Sequence, residues 1–200
     1  MKQIFITFTL IFYCQIISAQ YTGIQSLDGW TNYLQGVYYK DVANVLNPFE
    51  GHYKYESNSI LFEIKIQKRE VFYNGYNYQD ILIGSYLLIK ENIVEIDVLN
   101  DINNNHNHYS NYYLYGNEIM TGKVRGCDEC TENEKWVIAT IIEPDTGAAD
   151  KIHMRKFVVN GQPTLRIFIY PVSRSRHQND GPTPMQKYPV GISFDLVQIP

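Results

Sequence analysis

The stretch ILFEIKIQK, residues 60–68, alternates apolar and polar side chains with a period of two. Its apolar positions are Phe62, Ile64 and Ile66, and its polar positions are Glu63, Lys65 and Gln67. This alternation is typical of a strand with one face in a hydrophobic core and the other in solvent. The stretch therefore predicts a half-buried β-strand, and similar segments recur along the chain.

Segments on either side predict further strands joined by tight turns. Asn74-Gly75 favours a hairpin turn, because both residues tolerate a positive φ. Residues 80–89 are almost continuously apolar, which indicates a central strand. Residues 24–35 lack alternation and predict at most one helical turn. Further strands are predicted at residues 51–56, 93–99, 112–115, 136–142, 152–159, 164–170 and 190–199.

The composition favours β-structure, since the chain contains 17 Tyr and 9 Phe, and aromatic side chains suit a pleated, half-buried surface. About ten short strands with hairpin turns and no crossover helices predict an all-β fold. The sequence leaves two architectures open, an antiparallel β-barrel-like (lipocalin-like) domain or a β-sandwich. No linker interrupts the chain, so we predict a single β-rich domain over residues 20–200.

The first 19 residues predict a signal peptide. Lys2 provides a short positive end, residues 4–17 form an apolar run, and Ala19 is a small residue at the exit. The run is shorter than the ~20 apolar residues that span a bilayer. We therefore predict export to the periplasm or the medium, cleavage after Ala19, and no membrane insertion of the remaining chain.

The charge balance argues against two classes of partner. The chain has 17 Lys and Arg against 21 Asp and Glu, a formal net charge of −4. Nucleic acids and anionic membranes both require a basic surface. We predict neither partner, and we expect a monomer that binds an unknown protein, a glycan or a small apolar ligand without a cofactor.

Two groups of residues could bind metal or form a covalent link. Cys127 and Cys130 would be exported into an oxidising compartment, which favours a disulfide. A zinc site would need two more ligands, and no second cysteine pair exists. Asp101, His106 and His108 could together hold a divalent ion, but they lie in an asparagine-rich loop that is typical of solvated surface. We predict the disulfide and no metal site.

Two clusters of tyrosines are the candidate ligand-binding residues. Exposed Tyr next to Asn makes an adaptable contact surface for a sugar ring, a peptide or a partner protein. The candidates are Tyr73, Tyr76, Tyr78, Tyr109, Tyr112 and Tyr113. Tyr is also common in the half-buried positions of ordinary sheets.

The sequence contains no recognisable catalytic arrangement. No Gly-x-Ser-x-Gly elbow and no His-Glu-x-x-His stretch occur. Glu63, Glu95 and Asp97 lie on predicted strands, where solvation explains them. We predict no catalytic residue and a non-enzymatic binding or interaction domain.

Two segments carry a resemblance to a known family. They are NPFEGHYKY, residues 47–55, and DILIGSY, residues 80–86. Together with the signal peptide, they resemble a family of short exported Bacteroidota proteins whose domain is functionally uncharacterised. The resemblance implies no activity.

The Gly51-x-Tyr53 opening also resembles the start of lipocalin-type barrels, which carry Gly-x-Trp. In lipocalins the closing strand often brings an Arg to cover that Trp, and residues 190–199 contain no Arg. One alternative function is therefore a carrier of a small apolar ligand, in which Phe62, Ile64 and Leu82 would line a pocket. Another is a secreted glycan-acting hydrolase, which requires two carboxylates converging in a cleft.

Overall fold

The computed structural model describes residues 21–28, 32–123, 129–170 and 186–200. These residues form strands and three short 3-10 turns, and they contain no α-helix. The strands are β1 (Gly23–Ser26), β2 (Val37–Lys40), β3 (Gly51–Glu56), β4 (Ile60–Tyr73), β5 (Tyr78–Lys90), β6 (Ile93–Asp97), β7 (Leu114–Thr121), β8 (Lys135–Ile142), β9 (Ala149–Val159), β10 (Gln162–Tyr170) and β11 (Ser193–Ile199). The 3-10 turns are Asn47–Phe49, Asp101–Asn103 and Tyr109–Asn111.

Eight of these strands close into an antiparallel barrel, which decides between the two predicted architectures. Going around the ring, the strands are β3, β4, β5, β7, β8, β9, β10 and β11, and β11 pairs again with β3. The all-β prediction is confirmed, and of the two predicted architectures the protein adopts the barrel. Strands β6, β2 and β1 are additions outside the ring, with β6 antiparallel to β5 and with β1 and β2 running parallel to β5.

Tight turns connect β5 to β6 and β9 to β10. Asn160 and Gly161, between β9 and β10, both have positive φ, at 50° and 79°. Glu91 and Asn92, between β5 and β6, also have positive φ, at 49° and 65°. Two successive residues with positive φ give the turn whose twist matches that of antiparallel strands. The strands therefore follow one another as a meander.

The interior of the barrel is filled by side chains. Phe62, Ile64 and Leu82 have 0% exposed surface and belong to one continuous core cluster. A cavity large enough for a ligand would give its lining side chains accessible area, and these have none. An eight-stranded barrel is just wide enough for its own side chains to fill it. The carrier alternative placed its pocket at these three positions, so the described core does not support it.

The outer face of β5 is also buried, which explains its continuous apolar sequence. Ile81 and Ile83 point away from the barrel interior and pack against Ile102 and Tyr112. These two residues come from the segment of 3-10 turns between β6 and β7. The segment therefore covers β5 from outside, as the prediction of a central strand required.

Glycines on the two strands that meet at the closure, β5 and β7, allow each strand to pack closely against its other neighbour in the ring. A Cβ atom on Gly116 of β7 would lie 2.4 Å from the Cα atom of Ala139 on β8. A Cβ atom on Gly84 of β5 would lie 2.6 Å from the carbonyl oxygen of Lys65. Both distances are shorter than any carbon contact allows. β7 can pack at this spacing against β8, and β5 against β4, only because these two positions lack a side chain.

Lys156 covers the ring of Tyr53 at one end of the barrel. Its Nζ atom lies 4.2 Å from the ring centroid and donates hydrogen bonds to Tyr53 Oη and Gln198 Oε1, both at 2.9 Å. A cation therefore does cover the aromatic residue of the Gly51-x-Tyr53 motif. It comes from β9, however, whereas the lipocalin pattern would bring it from the closing strand.

A buried group of charges fixes β2 to the barrel. Asp80 of β5 has no exposed side-chain surface, and it accepts hydrogen bonds from Tyr38 Oη at 2.6 Å and from the backbone N–H of Asp41 at 2.9 Å. Lys68 Nζ lies 3.5 Å from Asp41 Oδ2 and 3.9 Å from Asp80 Oδ2. Because buried carboxylates are stable only when paired and hydrogen-bonded, this group holds the N-terminal segment against the barrel.

The same carboxylate also holds a strained backbone position. Val71 has a φ of 54°, which a β-branched residue rarely adopts. It lies in the irregular part of β4 between Arg69 and Phe72. Its N–H donates to Asp80 Oδ1 at 3.2 Å, and this bond stabilises the bulge.

We predict that Gly116→Ala destabilises the barrel, because its new methyl group would overlap Ala139. The free energy of unfolding should fall by about 1–3 kcal/mol, the usual cost of overpacking. Gly23→Ala is the control, since a Cβ atom there meets nothing within 4 Å. Urea denaturation of both variants measures the effect, and equal midpoints would contradict the close approach of β7 and β8.

We also predict that Lys156 makes stability depend on pH. Burial lowers the pKa of Lys156 from 10.5 to about 8 in the folded protein. Between these values the unfolded chain binds more protons than the folded protein, so stability rises with pH. Lys156→Met keeps most of the apolar stem and removes the titrating amine.

Urea denaturation between pH 7 and pH 9.5 tests this prediction. The wild-type protein should gain stability relative to Lys156→Met as the pH increases through 8. Parallel pH profiles for the two proteins would show that the amine is not desolvated.

Candidate functional site

The candidate site lies where the barrel closes, at the seam between β5 and β7. These strands pair over only three residues, Leu82–Gly84 against 114–116. Beyond Gly116, β7 bulges, so that its pairing with β8 shifts between Tyr115 and Glu118. At its N-terminal end, which carries the cleft residue Gln79, β5 pairs with β2 instead of β7. The two strands of the seam therefore separate, and a cleft forms between them.

Asn117 spans the separation between the two strands. Its Nδ2 atom donates to Gln79 Oε1 at 3.1 Å and to the backbone carbonyl oxygen of Asp80 at 2.8 Å. β-Bulges often redirect a side chain in this way next to functional sites. The side chain replaces the backbone pairing that the bulge removes, and it keeps the cleft from opening further.

Four tyrosines surround the cleft, which has a volume of about 290 Å³. They come from four separate segments of the chain: Tyr33 precedes β2, Tyr76 lies in the β4–β5 turn, Tyr109 lies in a 3-10 turn, and Tyr115 lies on β7. The rings of Tyr109 and Tyr115 are 4.9 Å apart. The remaining lining residues are Asn74, Asn77, Gln79, Ile81, Gly116, Asn117, Glu118, Ile138, Ala139, Thr140 and Lys151.

Amide side chains hold one wall of the cleft in place. Asn74 Oδ1 accepts the backbone N–H groups of Tyr76 and Asn77, both at 3.0 Å, which fixes the turn that carries the Tyr76 ring. Other amide atoms stay available to a ligand. In the part of the chain that the structure describes, Asn117 Oδ1 and Gln79 Nε2 make no hydrogen bond. The cleft thus offers one free acceptor and one free donor beside the aromatic rings.

The hydroxyl groups of Tyr33 and Tyr109 keep their protons over the physiological pH range. Burial, together with Tyr109, Tyr39 and Glu118, raises the pKa of Tyr33 to about 12. Burial and Tyr115 also raise the pKa of Tyr109 above its ordinary value. These phenols therefore keep their protons and act as hydrogen-bond donors as well as apolar surfaces.

Two of the six predicted tyrosines line this cleft, Tyr76 and Tyr109. Tyr73 and Tyr78 pack against each other outside it, with ring centroids 4.8 Å apart. Tyr112 is 1% exposed, and its hydroxyl donates to the carbonyl oxygen of Asn104 at 3.0 Å. It supports the loop and has almost no surface for a ligand.

Tyr113 lies away from the cleft, in a separate depression with Asp97, Asn100, Asp101 and Asn104. The structure therefore does not bring the six tyrosines together. The six candidates did not include Tyr33, Tyr115 or Asn117. The Gly116-Asn117 pair is the signal that could have drawn attention to the seam, because a glycine within a strand often marks a bulge.

The histidine loop does not form a three-ligand site. His106 Nε2 lies 3.1 Å from Asp101 Oδ2, whereas His108 Nδ1 lies 2.8 Å from Ser110 Oγ. Among the described residues, no three or more His, Cys, Asp or Glu side chains are grouped so that they could hold a metal ion.

Of the two cysteines predicted to form a disulfide, the structure describes Cys130. Cys127 lies outside the described residues, as does the predicted signal peptide at residues 1–19. Cys130 is buried in a small cluster with Trp136 and Met120. The disulfide stays a prediction.

The cleft is lined by a single carboxylate from the described residues, Glu118. The carboxylates singled out in the sequence lie elsewhere: Glu63 Oε2 contacts His52 Nε2 at 2.9 Å, and Glu95 and Asp97 belong to β6. A glycosidase of the usual type needs two carboxyl groups about 5–9 Å apart. The cleft, as described, does not supply this pair.

Comparison with known families identifies the chain. Residues 1–179 match the model of DUF6705, a family of unknown function, so the chain belongs to that family. This confirms the predicted resemblance to a family without an assigned activity. No curated protein matches the chain. No solved structure matches it either. None of the described helical segments has the length and apolar character to cross a membrane.

We predict that Asn117→Ala weakens the seam. The variant loses both hydrogen bonds from β7 to β5, so its free energy of unfolding should fall by about 1–2 kcal/mol. Amide hydrogen exchange should increase at Gln79 and Ile81, next to the lost bonds. Asn107→Ala is the control, because Asn107 is exposed and makes no side-chain hydrogen bond in the described structure. Unchanged exchange at β5 would show that Asn117 does not hold the strands together.

Proposed function

We propose that this member of DUF6705 is an exported, non-enzymatic binding protein, and that its seam cleft binds the end of a short glycan. The observation that carries the proposal is the combination of four tyrosine rings with oriented amide side chains in one cleft. The signal-like residues 1–19 support an extracytoplasmic location.

The chemistry of the lining suits a sugar ring. Tyrosine rings offer flat apolar surfaces on which the C–H face of a pyranose packs, and their hydroxyl groups can still hydrogen-bond. Amide side chains both donate and accept hydrogen bonds, as sugar hydroxyl groups require. The free atoms Asn117 Oδ1 and Gln79 Nε2 provide one group of each kind beside the rings.

The size and charge of the cleft restrict the kinds of glycan that it can bind. Its 290 Å³ is at the lower limit of the range of about 300–1,000 Å³ for sites that hold drug-sized ligands. A terminal sugar unit therefore suits the cleft better than an internal stretch of a long chain. With one carboxylate in the described lining, the cleft favours binding over hydrolysis.

The test is binding of β-1,4-linked disaccharides, measured by isothermal titration calorimetry with cellobiose as the first probe. Tyr76→Ala should weaken binding about fivefold, since one aromatic stacking contact contributes about 1 kcal/mol. Tyr73→Ala is the matched control: both tyrosines are 49% exposed, and Tyr73 ends β4 just before the turn that carries Tyr76, but only Tyr76 lines the cleft.

Equal loss of affinity in Tyr76→Ala and Tyr73→Ala would place binding outside the cleft. If cellobiose, chitobiose and N,N′-diacetylchitobiose all fail to bind at millimolar concentration, the proposal of a glycan-binding cleft is wrong.

A further inference from the structure

Glu118 places a negative charge among the aromatic rings of the cleft. Its carboxylate contributes to the raised pKa of Tyr33, so the two side chains interact electrostatically. The faces of tyrosine rings also carry negative potential and attract cations. The Glu118 carboxylate and the tyrosine rings therefore both favour a positively charged group on the ligand.

In the structure, the cation beside the Glu118 carboxylate is the amine of Lys151, and the two groups interact only weakly. Its Nζ atom lies 3.9 Å from Glu118 Oε2, longer than a hydrogen bond, and the side chains are 51% and 62% exposed. An exposed pair of this kind contributes little to stability. In the described structure, Lys151 is also not stacked on any aromatic ring. The lysine amine thus shows that an ammonium group is tolerated beside Glu118 and is easily displaced.

Glu118 and Lys151 are the charged residues of the described lining, so a ligand in the cleft interacts with these two charges. A carboxylate on the ligand, as in a uronic acid, would meet both Glu118 and the negative faces of the rings. An acetylated amine is neutral and gains nothing from Glu118. A free amine on the sugar carries a positive charge near neutral pH, and it can replace the lysine amine beside Glu118 because the exposed Lys151 ammonium is then hydrated by water.

We infer that Glu118 makes the cleft selective for an amino sugar, whose ammonium group takes the place of Lys151 Nζ beside the carboxylate. This inference rests on the proposed function, because it names the kind of sugar that the cleft prefers. Glu118 acts as the specificity-determining residue, and Lys151 acts as an internal competitor for the same carboxylate.

Three disaccharides with the same β-1,4 linkage provide the test. At the second carbon of each ring, cellobiose carries a hydroxyl group, chitobiose a free amine and N,N′-diacetylchitobiose a neutral amide. Calorimetry at pH 6 and low salt should show that chitobiose binds about fivefold tighter than cellobiose, as expected for an exposed charge pair beside an aromatic ring. The diacetylated sugar should show no such preference.

Two variants of the cleft should change this preference in opposite directions. Glu118→Gln should lower the ratio of the chitobiose and cellobiose affinities to about one. Lys151→Met removes the competing amine and should raise the ratio above its wild-type value. Glu132→Gln and Lys123→Met are the matched controls, because Lys123 and Glu132 form an exposed pair at 3.8 Å and neither lines the cleft.

Each failure has a distinct result. If cellobiose binds through Tyr76 but chitobiose binds no tighter, the amino-sugar inference is wrong and the proposed function stands. A preference for chitobiose that survives Glu118→Gln, or that Glu132→Gln abolishes equally, would show a general charge effect and also overturn the inference. If none of the three sugars binds, the proposed function itself fails.

Discussion

The short pairing of β5 with β7 is the contact on which the rest of the structure depends. β5 has 13 residues and β7 has 8, yet they share only three paired positions. Gly84 eases this pairing, because a Cβ atom there would lie 3.2 Å from Leu114 Cδ2 of β7, while Gly116 lets β7 approach β8 on its other side. Once these positions are joined, all eight strands have two neighbours, and no ring strand presents a long free edge.

The remaining length of β5 determines where the cleft lies. β6 pairs with the C-terminal end of β5, and β2 pairs with its N-terminal end. The bulge at Gly116-Asn117 then directs β7 away from β5. The cleft is thus a geometric result of closing a barrel with strands of unequal length. Its tyrosines come from segments that pack around the opening.

The sequence predicted the strands of the barrel well, because most of them are hairpin neighbours with alternating side chains. β3 begins and ends at the predicted residues, and β4 differs only by extending beyond its predicted end to Tyr73. The closure could not be predicted, since the β5–β7 contact joins strands that are not consecutive and no local pattern encodes it. For the same reason, the sequence did not decide between a barrel and a sandwich.

The failures have similar physical causes. β1 and β2 have four residues each and pair in parallel, so they have neither alternation nor a hairpin turn. At the start of residues 24–35, where a helical turn was predicted, the structure has β1 instead. The cation over Tyr53 comes from β9 because proximity in the barrel does not follow the order of strands. In the tyrosine clusters, sequence spacing did not separate Tyr76, which lines the cleft, from Tyr112, which is buried.

The buried group around Asp80 has a consequence for regulation of the cleft. Tyr33 belongs to the N-terminal segment, which lies outside the ring and is held by the contacts of Tyr38 and Asp41 with Asp80. Leu27, Val37 and Tyr39 of the same segment belong to the core cluster, so displacing the segment would remove one wall of the cleft and part of the core together. Ligand binding and segment docking are then thermodynamically linked: any ligand that contacts Tyr33 stabilises the docked segment and the core residues it carries, and any condition that loosens the segment lowers ligand affinity.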